Sequence, residues 1–117
     1  MLPSDTEIEE YLDAAGDSPF GDWFAGLDPV AAAKVTVAIA RIARGATSNL
    51  KGVGDGLIEY RIDFGPGYRV YLAWSGKRLV ILLGGGTKRR QAKDIEAAKA
   101  RWTDYKARRR AQLKGET

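Results

Sequence analysis

Arg61, Arg69, Lys88 and Arg89, with Tyr68 and Tyr71 among them, are the residues here whose types and spacing could do chemistry. Guanidinium and ammonium groups hold phosphate oxygens and stabilise charge that builds up on them, and the guanidinium fork does so through two parallel hydrogen bonds. Tyrosine adds a ring that stacks on bases and a hydroxyl that can carry a proton. If the strands that hold Arg61, Arg69 and Lys88 are neighbours, these bases gather at one end of a sheet, as a site for an RNA phosphate would require. The plainer reading is a set of surface pairs, Arg61 with Glu59 or Asp63 and Arg69 with an acid from the N-terminal segment.

The chain has neither His nor Cys. Thiolate metal sites, disulfides and every Ser-His or Cys-His arrangement are therefore excluded. The carboxylates show no spacing that converges them on a metal, so neither a metal nor a cofactor is expected. Gly84-Gly85-Gly86-Thr87-Lys88 has the composition of a phosphate-binding loop but departs from the G-x-x-x-x-G-K-[ST] pattern, which argues against nucleotide binding.

Charge is split along the chain. Residues 1–28 carry eight acids and no Lys or Arg, and the rest carries a net +12. The segment 88–114 alone carries +8. Such a split suits a polyanion-binding surface, or an acidic segment that folds against the basic site and partly neutralises it. With 117 residues a single domain, 1–117, is expected. No run approaches a membrane span and the start lacks a signal peptide's pattern, so the expected setting is cytosolic and away from membranes.

Turn signals divide the chain into elements that would position these residues. Ser4 followed by Glu7 has the form of a capping box, with Ile8, Tyr11 and Leu12 at helical spacing, although Thr6–Leu12 is also short enough for a strand. Ser18-Pro19 and Asp28-Pro29 each start a helix. The first buries Phe20, Trp23, Phe24 and Leu27. The second buries Ala32, Val35, Ile39 and Ile42 and ends at Gly45, and the two form a hairpin. Gly52, Gly54 and Gly56 mark a loop. Three strands follow: Leu57 to Phe64, Tyr68 to Trp74, and Leu79 to Leu83, the last covered on both faces. Gly84-Gly85-Gly86 exits that strand. A basic helix from about Gln91 to Arg110 then turns Ile95, Ala98, Trp102 and Tyr105 to one side.

Several of these runs are specific in combination: Leu50-Lys51-Gly52-Val53-Gly54-Asp55-Gly56, Gly65-Pro66-Gly67-Tyr68-Arg69-Val70-Tyr71, and Gly85-Gly86-Thr87-Lys88 with Gln91 and Lys93-Asp94-Ile95. With the helical hairpin before them, they resemble the HigB-like, phage-Gp49-like addiction-module killer branch of the RelE/ParE toxin superfamily, over almost the whole chain. The resemblance implies an α+β fold of order β-α-α-β-β-β-α, with a helical hairpin packed on a small, mostly antiparallel sheet. It makes Thr6–Leu12 the first strand. It also implies a type II toxin held by a protein antitoxin, usually of helix-turn-helix type, that cleaves mRNA in the ribosomal A site. Two readings stay open beside it: a ParE-like inhibitor of DNA gyrase with no nuclease activity, and a relative that keeps the fold without activity. Many relatives carry Asp at the position of Thr87 and small residues at those of Arg89 and Arg90, which makes this chain's site more basic.

RNA cleavage without a metal requires that the 2′-OH lose a proton, that the phosphorane charge be stabilised and that the 5′-oxygen be protonated. Arg69 is the expected phosphate group. Arg61, Lys88 and Arg89 add charge, and one of them supplies the leaving-group proton. Tyr68, Tyr71 or a lysine among like charges is the expected base. Lys51, Arg90, Lys93, Arg108 and Arg109 are expected to meet the RNA backbone.

Overall fold

A computed structural model describes residues 6–46 and 48–115. The elements run β1 (Glu7–Glu10), α1 (Pro19–Ala25), α2 (Pro29–Ala43), β2 (Leu50–Gly54), β3 (Leu57–Ile62), β4 (Tyr68–Ser75), β5 (Leu79–Thr87), a 3₁₀ turn (Lys88–Arg90) and α3 (Gln91–Gly115). The five strands form one sheet in the order β1-β5-β4-β3-β2. Only β1, lying alongside β5, is parallel to its neighbour.

Both helix starts form as their caps dictate. The Ser18 hydroxyl accepts from the Gly21 amide and the Asp28 carboxylate from the Ala31 amide, each at 2.9 Å. The two helices α1 and α2 cover one face of the sheet. Phe20 of α1 and Ala31, Val35, Ala38 and Ile42 of α2 bury against Tyr60, Ile62, Tyr68, Val70, Leu72, Val80 and Leu82. The buried stripe of α2 is thus rotated from the expected one: Ala31 and Ala38 point inward, and Ala32 and Ile39 fall to its margin. On the opposite face, α3 lays Ala98 and Trp102 over Leu57, Tyr71, Ala73, Ile81 and Leu83. Alternation along the strands feeds both layers, so residues that read as a polar strand face lie beneath a helix. Among the described residues no helix is long and apolar enough to cross a membrane.

The first strand forms as the resemblance implies, and two other expectations are corrected. Glu7 belongs to a strand, not to a capping box, whose Ser4 lies outside the described residues. Four register positions beside β5 override the local helical signal. The glycine-rich stretch at 52–56 is not a loop. Leu50–Gly54 is a strand, paired to β3 through a two-residue turn in which Asp55 (φ 58°) and Gly56 (φ 84°) are both left-handed, the geometry an Asp-Gly hairpin favours. The sheet therefore has one more strand than the expected order.

Nor do Gly84-Gly85-Gly86 leave the sheet: β5 continues through them to Thr87, paired with β4. They lack side chains because helices press on them from both sides. A Cβ on Gly85 would lie 2.2 Å from the Trp23 ring, and one on Gly86 1.9 Å from the Asp94 carboxylate. Gly85→Ala is accordingly expected to destabilise the fold by about 1–3 kcal/mol, the usual cost of overpacking, as a lower urea midpoint with an unchanged slope.

Candidate functional site

The Gly65-Pro66-Gly67 turn makes β3 and β4 adjacent and puts Arg61 directly opposite Arg69; Gly86 of β5 completes the row. In the neighbouring row, Lys51 of β2 stands opposite Glu59, and Glu59 opposite Tyr71. These residues share the face that α3 covers. The chain re-enters here from β5: the Lys88 amide donates to the Gly67 carbonyl at 2.8 Å. A Cβ on Gly67 would lie 3.4 Å from both Arg69 Nη1 and Lys88 Cβ, so the two cations flank one turn. Arg61, Arg69 and Lys88 thus gather at one end of the sheet.

At the centre stands a residue the sequence offered only as a surface pair. Glu59 is 0% exposed. Its Oε1 accepts from Arg61 Nε at 3.0 Å and faces Arg69 Nε at 3.7 Å. Its Oε2 accepts from Gln91 Nε2 at 2.8 Å and from the Tyr71 hydroxyl at 3.2 Å. Burial pushes this carboxyl up, but the bonds from Arg61, Gln91 and Tyr71 and the Arg69 charge outweigh it and hold Glu59 below the usual carboxylate range. Glu59 is therefore a buried anion between two guanidinium groups. The expected partner for Arg69, an N-terminal acid, is replaced by this one.

The two arginines differ in exposure. The Arg61 side chain is 41% exposed and the Arg69 side chain 7%. Arg69 Nη1 donates to the Tyr68 carbonyl over a long 3.4 Å, and its buried Nε has no hydrogen-bond partner among the described residues. This guanidinium is fixed in place with its donors incompletely used. Lys88, Arg89, Arg90 and Lys93 are exposed, and Arg89, Arg90 and Lys93 line a shallow depression of about 320 Å³ at the start of α3.

Neither tyrosine is placed to act as a base. Tyr71 is fully buried; burial, the Glu59 charge and the hydrogen bond it donates to Glu59 push its hydroxyl far above the usual phenol range. Its part is to hold Glu59. Tyr68 points to the other face of the sheet, where it packs near Trp23 and Phe64. Arg108 also lies away from the site. It pairs with Asp104 at 2.7 Å, lies over the Tyr11 ring and bonds the Leu12 carbonyl, tying α3 to the segment after β1. Arg109 is on the same distant turns. Among the described residues no acid of 6–28 forms an ion pair with Arg61, Arg69 or Lys88, and β1 is at the far edge of the sheet, with β5 and β4 between it and β3. Glu10 accepts from Ser18, Asp13 closes its own turn and Asp28 caps α2.

Asp94, over Gly86, is a second carboxylate, half-buried, near the same end of the sheet. Its Oδ1 lies 3.9 Å from Arg90 Nε, and its Oδ2 is buried without a hydrogen-bond partner among the described residues. Burial pushes its carboxyl up by more than Arg90 and Arg101 pull it down. A carboxyl raised on folding favours the fold while protonated and loses that contribution as pH rises through its folded pKa. Asp94→Asn is therefore expected to raise the melting temperature at pH 7, with the gain shrinking toward pH 3.

A family model described as "phage derived protein Gp49-like" matches residues 22–103. An uncharacterized protein of Haemophilus influenzae strain Rd is 47% identical over 81 residues, which is 68% of this chain and 82% of the relative. The span of the family match contains Glu59, Arg61, Arg69, Tyr71, Lys88, Gln91 and Asp94 and stops short of Arg108.

Proposed function

The chain belongs to the phage-derived Gp49-like family, and from that premise we propose that it is the toxin of a type II toxin–antitoxin module, a ribosome-dependent endoribonuclease that cuts mRNA without a metal. The observation that carries the reading is the Arg69 guanidinium, held between the Glu59 carboxylate at 3.7 Å and the Tyr68 carbonyl at 3.4 Å, beside the more exposed Arg61 and Lys88. A group fixed before the substrate arrives costs no reorganisation when charge develops on the phosphorane. Arg61 and Lys88, more exposed, meet the phosphate first, and Lys88 or Arg89 returns a proton to the 5′-oxygen. Glu59 keeps the two arginines from repelling each other and sets their direction, and Gln91 and Tyr71 set Glu59. With Tyr68 and Tyr71 removed as bases, the 2′-OH proton passes to solvent water, and alignment of the 2′-OH by the ribosome carries more of this first step. Arg89, Arg90, Lys93 and Lys51 surround the site as backbone contacts. The partner that silences it is an antitoxin protein, of helix-turn-helix type by the resemblance.

The test is cell-free translation of a defined mRNA with the purified protein, read by primer extension with and without ribosomes. Cuts within codons that require ribosomes support the reading. Intact mRNA with undisturbed translation overturns it, and a gyrase cleavage assay then tests the ParE-like alternative.

A further inference from the structure

A second cationic feature lies around the edge of the sheet from Arg69. β2 begins at Leu50, opposite Tyr60, so on that side β3 has no strand beside it past that point among the described residues; the Arg61 amide donates to the Asn49 carbonyl at 3.2 Å and the edge then opens. Between this open edge and α2 lies a groove of about 250 Å³, whose lining includes Lys34, Arg41, Asn49, Tyr60, Arg61 and Phe64. Lys34 and Arg41 are seven residues apart on α2, two turns along one stripe, and both are exposed. Neither forms an ion pair among the described residues, and Asp63 is the groove's one carboxylate. Lys34 Nζ stands 5.0 Å from the centre of the Phe64 ring. Arg61 belongs to both features: it lines the groove and pairs with Glu59 on the face of the sheet.

We propose that this groove is a subsite for single-stranded RNA, holding the stretch next to the phosphate at Arg69, with Lys34 and Arg41 on its backbone. The proposal rests on the nuclease reading above. Charge selects the occupant, because Lys34 and Arg41, neither in an ion pair among the described residues, match the phosphates of a strand that runs on from Arg61. Continuity selects the path, because a strand bound at Arg69 and Lys88 reaches the groove by crossing Arg61. An acidic protein segment is the competing occupant.

The probe is fluorescein-labelled decauridylate, titrated by anisotropy across a salt series against the full chain, its Lys34→Ala/Arg41→Ala variant and a Lys77→Ala/Arg78→Ala variant. The last removes the same charge from the exposed β4–β5 turn. Alanine is the best helix former, so the α2 changes leave the helix intact. Each lost phosphate contact on a single strand lowers the slope of log K against log salt by about 0.7, so the α2 pair is expected to lower it by about 1.4 and the turn pair to leave it unchanged. An unchanged slope for the α2 pair, or an equal fall for both pairs, overturns the proposal and leaves the groove to an acidic partner. The same proteins are assayed for mRNA cleavage. Wild type that cuts mRNA while the α2 pair binds normally removes the groove alone. The expected slopes with intact mRNA remove the nuclease reading alone.

Discussion

Arg69→Met is expected to slow ribosome-dependent mRNA cleavage by about 10²–10³-fold, the usual loss when one preorganised donor to a developing anion is removed. Loss of activity alone would not identify the cause, because Arg69 also balances a buried carboxylate. Removing one partner of a buried pair costs about 3–5 kcal/mol, here toward the lower end because Arg61 still contacts Glu59 at 3.0 Å. The single variant should therefore be both less stable and inactive. The double variant Glu59→Gln/Arg69→Met separates the two effects, since it removes both buried charges. Its urea midpoint is expected to recover much of what the single variant loses, while cleavage stays as low as in the single variant. If activity returns with stability, Arg69 supports the fold and does not act on the phosphate. Arg61→Ala, at an exposed position, is expected to cost less in both measurements.

The neighbourhood of Arg61 and Arg69 was legible because it depends on local chemistry. Gly65 and Gly67 permit a tight reversal, the reversal makes two strands adjacent, and adjacency puts the arginines opposite each other. Glu59 was misread by the same local logic. It alternates with apolar residues beside Arg61, as an exposed strand residue would, and only the docking of α3 from over thirty positions away buries it. Nothing within β3 reports that cover. Gly85 and Gly86 were misread for a related reason: a glycine needed for close approach of Trp23 and Asp94 has the same letter as a glycine in a loop, and the contacts that distinguish them are non-local. Thr6–Leu12 shows where the resemblance added what pattern could not. Its local signal suited a helix or a short strand alike, and the pairing of Glu7–Glu10 with β5 makes it the strand that the resemblance implied.

Glu59→Ala is expected to be the most damaging single change to stability at pH 7. It would strand Arg69 as a buried, uncompensated cation and leave the Tyr71 hydroxyl and the Gln91 amide without their acceptor. The cost is about 3–5 kcal/mol, a large share of the roughly 5–15 kcal/mol that holds a typical domain together. The pH dependence identifies the mechanism. Because folding lowers the Glu59 pKa, its contribution is present in full above the unfolded value of about 4.3 and is lost as pH falls through the lower folded value. Glu59→Gln keeps the volume and one acceptor but not the charge. Its deficit against wild type should thus be large at pH 7 and shrink as pH approaches 3, where the wild-type carboxyl is also being neutralised. Urea midpoints of the two proteins between pH 3 and 7 measure this directly. The Asp94→Asn difference has the opposite sign over the same range, a gain at pH 7 that fades on acidification, so global effects of acid cannot imitate both. A Glu59→Gln deficit that stays constant from pH 7 to 3 would mean that shape rather than charge holds the two arginines, and a constellation held by shape alone would give them no electrostatic preorganisation for a phosphate.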